Sequence, residues 1–312
     1  MRSVRYPAAM QVVIAYNPVS GRGRAEAVAA MLSAALDRAG IASSRVASRR
    51  DDACAWLRPT LVGADALVVV GGDGAVRAAA PEAAREGVPI WQVPLGTENL
   101  FARHFRMDAD PARLARALRA RRVREIDLGV VELDAGAEMP DRAHFAIMAS
   151  VGFDADVVHA LARTRMGSIA HASYVPVMLE CLGSWRPAEL AWEIDGEREW
   201  LGHGIVVVGN LPEYGVRLNP TPDARCDDGL LDAVFLPAES PLEAIAWMPL
   251  LRARLHGRHP AVRFRRGARV RIEADSAARV QVDGDAVGSP HGVRSMAFRT
   301  AEQRLSVLLP PE

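Results

Sequence analysis

Between residues 11 and 127 the chain alternates short β-branched runs with Ala-rich segments whose apolar positions recur at helical spacing. "QVVIAY" (11–16) predicts a strand, 24–38 a helix, 41–47 a strand, and 51–58 a helix begun by an Asp cap. "ALVVV" (66–70) predicts a strand, 75–86 a helix, "PIWQVP" (89–94) a strand, and 98–119 one or two helices. This alternation predicts a parallel sheet with helices on both faces, and ligands in such sheets sit beyond the carboxyl ends of the strands.

After about residue 128 the texture changes to short strands with Gly and Pro turns: 126–133, 143–150, 189–195, 199–208, 231–236, 269–274 and 278–283. Hairpin signals at this spacing predict a β-sandwich. A helical pattern over 169–185 interrupts them. The expected organisation is therefore an α/β domain over 1–127, a sandwich over 128–299, and a return of 300–312 to the first domain through "RLSVLLP".

The 312 residues, half of them hydrophobic, are enough to bury two cores. Basic and acidic residues number 38 each, so net charge gives no reason to expect nucleic acid as a partner. Every basic residue is Arg. Without Lys, a Walker-type P-loop and Schiff-base chemistry are excluded, and phosphate handling falls to backbone amides, Arg and metal. Cys54, Cys181 and Cys226 are far apart and show no metal spacing, which reads as reduced thiols in a cytoplasmic protein. The apolar patch near the N-terminus is short and interrupted by Gln11, and no stretch reaches the roughly 18 residues of a membrane span.

Three loops of the first half carry chemistry. "NPVSGRGRA" (17–25) frees the backbone at Ser20, Gly21 and Gly23, with Arg22 and Arg24 adding charge ahead of a helix. A tight Ser-capped turn accounts for the same residues. "GGDG" (71–74) removes every Cβ except that of Asp73, and Gly71, Gly72 and Gly74 allow positive φ. A carboxylate beside phosphates has to face a metal, a ribose hydroxyl or a nucleophile's proton; an Asp-Gly turn joining strand to helix explains one or two of the glycines well but the whole run less well. In "PLGTENLFARHF" (94–105), Gly96 permits a turn, and Thr97 either caps a helix or touches a phosphate. Three anion-friendly loops at one sheet edge favour a phosphate site.

The sequence resembles the diacylglycerol kinase catalytic family, which includes bacterial soluble lipid kinases and the sphingosine and ceramide kinases. The resemblance rests on N-P-V-S-G (17–21), G-G-D-G (71–74) and P-L-G-T-x-N-x-F-A (94–102), then "VGFDADVV" (151–158), "DDGLLDAVFL" (227–236) and "VDGD" (282–285). It implies a nucleotide-binding domain of the NAD kinase and phosphofructokinase kind followed by a β-sandwich, with ATP in a cleft between them. Asn17, Pro18, Ser20, Gly21, Arg22, Gly71, Gly72, Asp73, Gly74 and Thr97 match the family's nucleotide loops. The Asp228 carboxylate with the backbone carbonyls of Arg225 and Leu230 matches a structural Mg²⁺ site, and Asp285 stands where the family has its proposed general base. Asp73 and Asp285 are thus the expected catalytic acids. The implied partner is a lipid substrate at a membrane surface, with a homodimer compatible with it.

The sequence also departs from the family. Ala75, Val76, Arg77 and Ala78 follow G-G-D-G where Thr and an Asn-Glu pair are usual, and Leu100 follows Asn99 where Asp is usual. A catalytically weak or silent nucleotide- or lipid-binding protein is the competing reading, and NAD kinase a second. Asp154 and Asp156 could offer another carboxylate near the acceptor, or cap a helix. The segment 241–271 places an apolar helix ahead of eight Arg and no acid from Arg252 to Arg271. That order suits an anionic leaflet, while a packed helix followed by solvated Arg is the plainer reading.

Overall fold

The computed structural model describes residues 10–49, 53–134, 141–164, 183 and 185–311. The expected N-terminal tail, the Asp cap at residues 51–52 and all but residues 183 and 185 of the helix expected over 169–185 lie outside them. The chain forms two compact units, one running to Ile126 and resuming at Leu305, the other spanning Asp127–Arg304.

The first unit is built on β1 (Gln11–Tyr16), β2 (Ala42–Ala47), β3 (Ala66–Gly71), β4 (Ile90–Pro94), β5 (Val123–Ile126) and β17 (Leu305–Leu308), in the order β2-β1-β3-β4-β17-β5. All pairs are parallel except β17 with β5. Every residue of β3 is buried, as expected of a strand covered on both faces. One helical layer contains α2 (Ala25–Arg38) and α7 (Pro111–Ala120), which pack together. The other contains α3 (Ala53–Trp56), α4 (Arg58–Leu61) and α5 (Asp73–Glu86). The single helix expected over 51–58 is instead two short ones, because Pro59 has no N–H to continue the first. From β1 the chain moves outward to β2 and returns to β3 on the other side, so the loops after β1 and β3 flank a topological switch point.

The second unit is antiparallel. β6 (Gly129–Leu133), β7 (Asp141–Phe145), β9 (Glu189–Ile194), β13 (Arg269–Ala278) and β16 (Val293–Thr300) make one sheet. β8 (Met148–Val151), β11 (Leu231–Pro237), β12 (Arg263–Gly267), β14 (Val280–Val282) and β15 (Asp285–Val287) make the other. The long β10 (Glu197–Gly209) belongs to both: residues 197–203 pair with β9, and 204–209 pair with β8 and β11. A bulge between Trp200 and Gly202, where Gly202 has φ +88°, turns the corner. The core between the sheets includes Val131, Phe145, Trp192, Val206, Phe235, Ile272 and Phe298. α8 (Phe153–Thr164) follows β8, and α9 (Pro241–Arg252) packs on β11.

Three strands escape the sequence pattern. β12 reads "RFRRG", β15 has three residues, and β16 mixes Arg and Ser among its core positions. The strand expected over 126–133 is two, ending the first sheet and beginning the second with Asp127 and Leu128 between them. That expected over 143–150 is likewise two strands.

Candidate functional site

The loop after β1 begins with an Asx turn, in which the Asn17 side chain accepts the Val19 N–H and the Asn17 carbonyl accepts the Ser20 N–H. Pro18 sits exposed between them. Ser20–Gly23 forms one distorted turn, α1, in which Gly21 and Arg22 both have φ +59°. A right-handed residue followed by left-handed ones aims successive amides into a concavity suited to an anion. Arg24 is spent holding this turn through Nε to the Gly21 carbonyl at 2.9 Å, whereas the exposed Arg22 has no carboxylate partner among the described residues.

The G-G-D-G run takes a different shape from the expected one. Gly71, Gly72 and Gly74 do not adopt positive φ. What the run needs is space. A β-carbon on Gly71 would lie 2.7 Å from that of Ala75, and one on Gly72 would lie 3.0 Å from the Gly96 α-carbon. Gly71 ends β3, Gly72 precedes α5 in extended conformation, and Asp73 and Gly74 open that helix. Asp73 reaches sideways: its Oδ2 accepts the Leu100 N–H at 3.0 Å and its Oδ1 the Phe101 N–H at 3.1 Å. Those are orphan donors at the start of α6 (Leu100–His104). Burial pushes the Asp73 carboxyl above its ordinary range, while the Phe101 and Leu100 N–H groups pull it down.

This corrects the reading of Thr97 as a helix cap. α6 starts three residues later, with Asn99 before it at φ +53° and Asp73 supplying the capping acceptor from another loop. Thr97 is exposed in the turn between. The Asn99 amide closes on Gly96, accepting its N–H and donating to its carbonyl, both at 2.8 Å. The three loops touch pairwise. Gly72 abuts Gly96, Leu95 lies 3.3 Å from where a Gly21 β-carbon would be, and Ser20 Oγ 3.6 Å from that of Gly71.

The remaining predicted residues belong to the second unit. Asp285 opens β15 behind a two-residue turn, Asp283 at φ +49° and Gly284 at +83°, which is the type I′ hairpin that Asp-Gly favours. Asp283 pins this turn by accepting the N–H groups of Ala146, Ile147 and Met148 at 2.8–2.9 Å. Asp154 is held by Ser150 and Gln281 at the start of α8, and Asp156 pairs with Arg279.

Asp228 lies ahead of β11. Its Oδ1 accepts the Leu230 N–H, its Oδ2 is taken by Arg266, and Arg225 Nε is 3.9 Å away. The Asp228 carboxylate, with the backbone carbonyls of Arg225 and Leu230, is the set that would hold a Mg²⁺, and in this structure guanidinium groups meet its charge instead. Among the described residues no group of three or more His, Cys, Asp or Glu is placed to hold a metal.

Residues 11–131 match the family model described as diacylglycerol kinase catalytic domain, and residues 147–307 match the one described as YegS C-terminal NAD kinase beta sandwich-like domain. A diacylglycerol kinase of Mycobacterium tuberculosis (strain CDC 1551 / Oshkosh) is 30% identical over 273 residues, 86% of each chain. The chain belongs to the diacylglycerol kinase catalytic-domain family. A probable lipid kinase YegS-like of Pseudomonas aeruginosa (strain UCBPP-PA14) is 30% identical over 249 residues, 78% of this chain and 76% of that one. The crystal structure of a putative diacylglycerol kinase from Bacillus anthracis str. Sterne shares the fold with a TM-score of 0.74 at 18% identity, covering 100% of this chain and 98% of that one. The membership makes this a lipid-kinase-like phosphotransferase. No helix among the described residues is long and apolar enough to cross a membrane.

Within this diacylglycerol kinase family member, sequence reasoning passed over two residues that shape the loops. Buried Gln92, in β4, donates to the Gly71 carbonyl at 3.1 Å and accepts the Ala102 N–H at 2.7 Å, tying β3 to α6. Asn99 shapes the third loop through its amide closure on Gly96. A single Gln inside an apolar strand such as "IWQVP" was the available signal.

Proposed function

We propose that the protein transfers the γ-phosphoryl group of ATP to the free hydroxyl of a lipid such as diacylglycerol. The observation that supports this most is the mutual contact of the three glycine-bearing loops beside the switch point of the first sheet. The missing side chains at Gly21, Gly71, Gly72 and Gly96 let the loops close on one another and gather their backbone amides, and the Asp73 and Gly74 N–H groups at the start of α5 add a positive pole for a phosphate. Asn17, Pro18, Ser20, Arg22, Gly74 and Thr97 complete the proposed nucleotide contacts. Asp73, proposed with Asp285 as a catalytic acid, also braces α6 beside this surface.

Phosphoryl transfer asks for alignment and charge neutralisation more than covalent chemistry. The acceptor oxygen forms a bond to the γ-phosphorus as the bond to the β,γ-bridging oxygen breaks, and ADP leaves with that electron pair. Asp285 is the proposed base that takes the hydroxyl proton. A Mg²⁺ held by the Asp228 carboxylate and the carbonyls of Arg225 and Leu230 would supply charge neutralisation, and no step passes through it.

A radiolabelled ATP assay with diacylglycerol, sphingosine or NAD as acceptor tests the proposal. Labelled phosphatidic acid is the expected product. Intact ATP binding without transfer to any acceptor would overturn it.

A further inference from the structure

The Arg-rich segment after α9 does not act as a uniform solvated run. β12 carries Arg263 and Arg265 against Glu199, and Arg266 against Asp228 and Asp232, so these charges are compensated. The preceding turns are different. Arg252 Nη1 donates to the Val216 carbonyl at 2.8 Å and Arg254 Nη2 to Asn219 Oδ1 at 3.0 Å. Both guanidinium groups are thereby fixed by neutral oxygens. Among the described residues neither they, nor Arg217, nor Arg258 has an ion pair.

Apolar side chains stand among these cations. Val216 is 46% exposed, Leu255 37% and Phe264 40%. The patch is continuous: Arg252 touches Val216, the Arg258 N–H bonds the Leu255 carbonyl, and Phe264 lies against Gly257 and the His256 ring. Val216 and Arg217 hold φ of +52° and +60° in succession. A β-branched residue in the left-handed region is strained, and here the strain presents an apolar side chain to solvent. Burial offers no return for it.

We infer that this face, made of Val216, Leu255 and Phe264 among Arg217, Arg252, Arg254 and Arg258, docks on an anionic bilayer leaflet. Apolar tips that enter the interface beside cations that meet lipid phosphates are the chemistry of a peripheral membrane contact. A polyanion such as DNA would meet the same charges but would gain little from the apolar tips. The inference rests on the proposed lipid substrate for its purpose, though not for its geometry.

Cosedimentation of the full chain with vesicles tests it, using phosphatidylglycerol/phosphatidylcholine and pure phosphatidylcholine. Binding to the anionic vesicles is expected, weakening as salt rises. Arg217→Glu/Arg258→Glu should reduce it at least about tenfold, each charge near an anionic surface contributing roughly fivefold. Leu255→Ser/Phe264→Ser should reduce it at unchanged charge. Equal binding to neutral vesicles, or full binding by the charge-reversed variant with an unchanged melting temperature, would overturn the inference. So would tighter binding to duplex DNA than to vesicles that ignores the serine pair. Phosphorylation of a short-chain, micellar diacylglycerol is the separate control: its absence alongside intact vesicle binding would sink the proposed reaction and leave the docking face standing.

Discussion

The α-carbon of Gly72 lies 2.5 Å from the position a β-carbon on Gly96 would occupy. Two loops separated by a helix and a strand thus meet backbone to backbone, and neither can carry a side chain at the contact. Gly96→Ala is expected to push them apart, costing about 1–3 kcal/mol as overpacking does. Titration with a fluorescent ATP analogue should show affinity reduced at least about tenfold, with a melting temperature lowered by several degrees. Wild-type affinity would remove the loops from the nucleotide site.

Asp73→Ala leaves the Leu100 and Phe101 N–H groups without their acceptor. Orphaning buried donors costs about 1–3 kcal/mol each. Turnover is expected to fall below detection with thermal stability clearly reduced, as measured by the labelled-ATP assay and calorimetry. Loss of turnover with unchanged stability would favour direct contact with the reacting groups over a bracing role.

Asp232 gives a pH signature. Its side chain is 16% exposed, and burial together with nearby Asp223 raises its pKa from 3.8 to about 6, although Arg266 Nε stands 3.6 Å away. The folded state therefore holds this proton more tightly than the unfolded one. The resulting stabilisation is complete below about pH 4 and is lost as pH rises to about 6. At roughly 1.4 kcal/mol per pK unit the loss is on the order of 2–3 kcal/mol. Denaturant melts of Asp232→Asn should lack this component of the slope between pH 4 and 6. An identical slope in both proteins would contradict the assignment.

Gln281 is fully buried in β14 and joins three elements. Its Nε2 donates to Ser150 Oγ at 2.7 Å, and its Oε1 accepts the Gly284 N–H at 2.9 Å, one residue before Asp285. Gln281→Leu should lower kcat about tenfold with ATP affinity intact, by loosening the turn that presents Asp285. Asp285→Asn should lower kcat at least about a hundredfold without unfolding. Wild-type kcat in Asp285→Asn would exclude it as the base.

β3 and α5 were readable because the strand is uniformly apolar and the helix amphipathic, "ALVVV" being followed by the helix holding Val76, Ala79, Ala80 and Ala83. β12 was not. Its Arg263 and Arg265 share Glu199 on the β9–β10 hairpin, so an edge strand reads as a charged loop until the partner hairpin is known. The three loops were legible as glycine runs, but the reason for the glycines was not. Positive φ is a local property that a sequence suggests, whereas the Gly72–Gly96 contact depends on how β3 and β4 align. The bracing of α6 by Asp73 is hidden for the same reason, since the N–H groups it accepts lie 27 and 28 residues away. Gln92 and Gln281 are lone polar residues in apolar strands, and periodicity assigns such positions nothing.

The place of β17 between β4 and β5 bears on how the chain comes off the ribosome. Five of the six strands of the first sheet emerge early, yet β5 has no neighbour to hold it until Leu305–Leu308 arrives after the whole of Asp127–Arg304. The second unit is contiguous and can close while the first waits with an open edge. The part of the protein that is synthesised first is therefore finished last, and the exposed side of β4 is the surface a chaperone would have to shield in the interval.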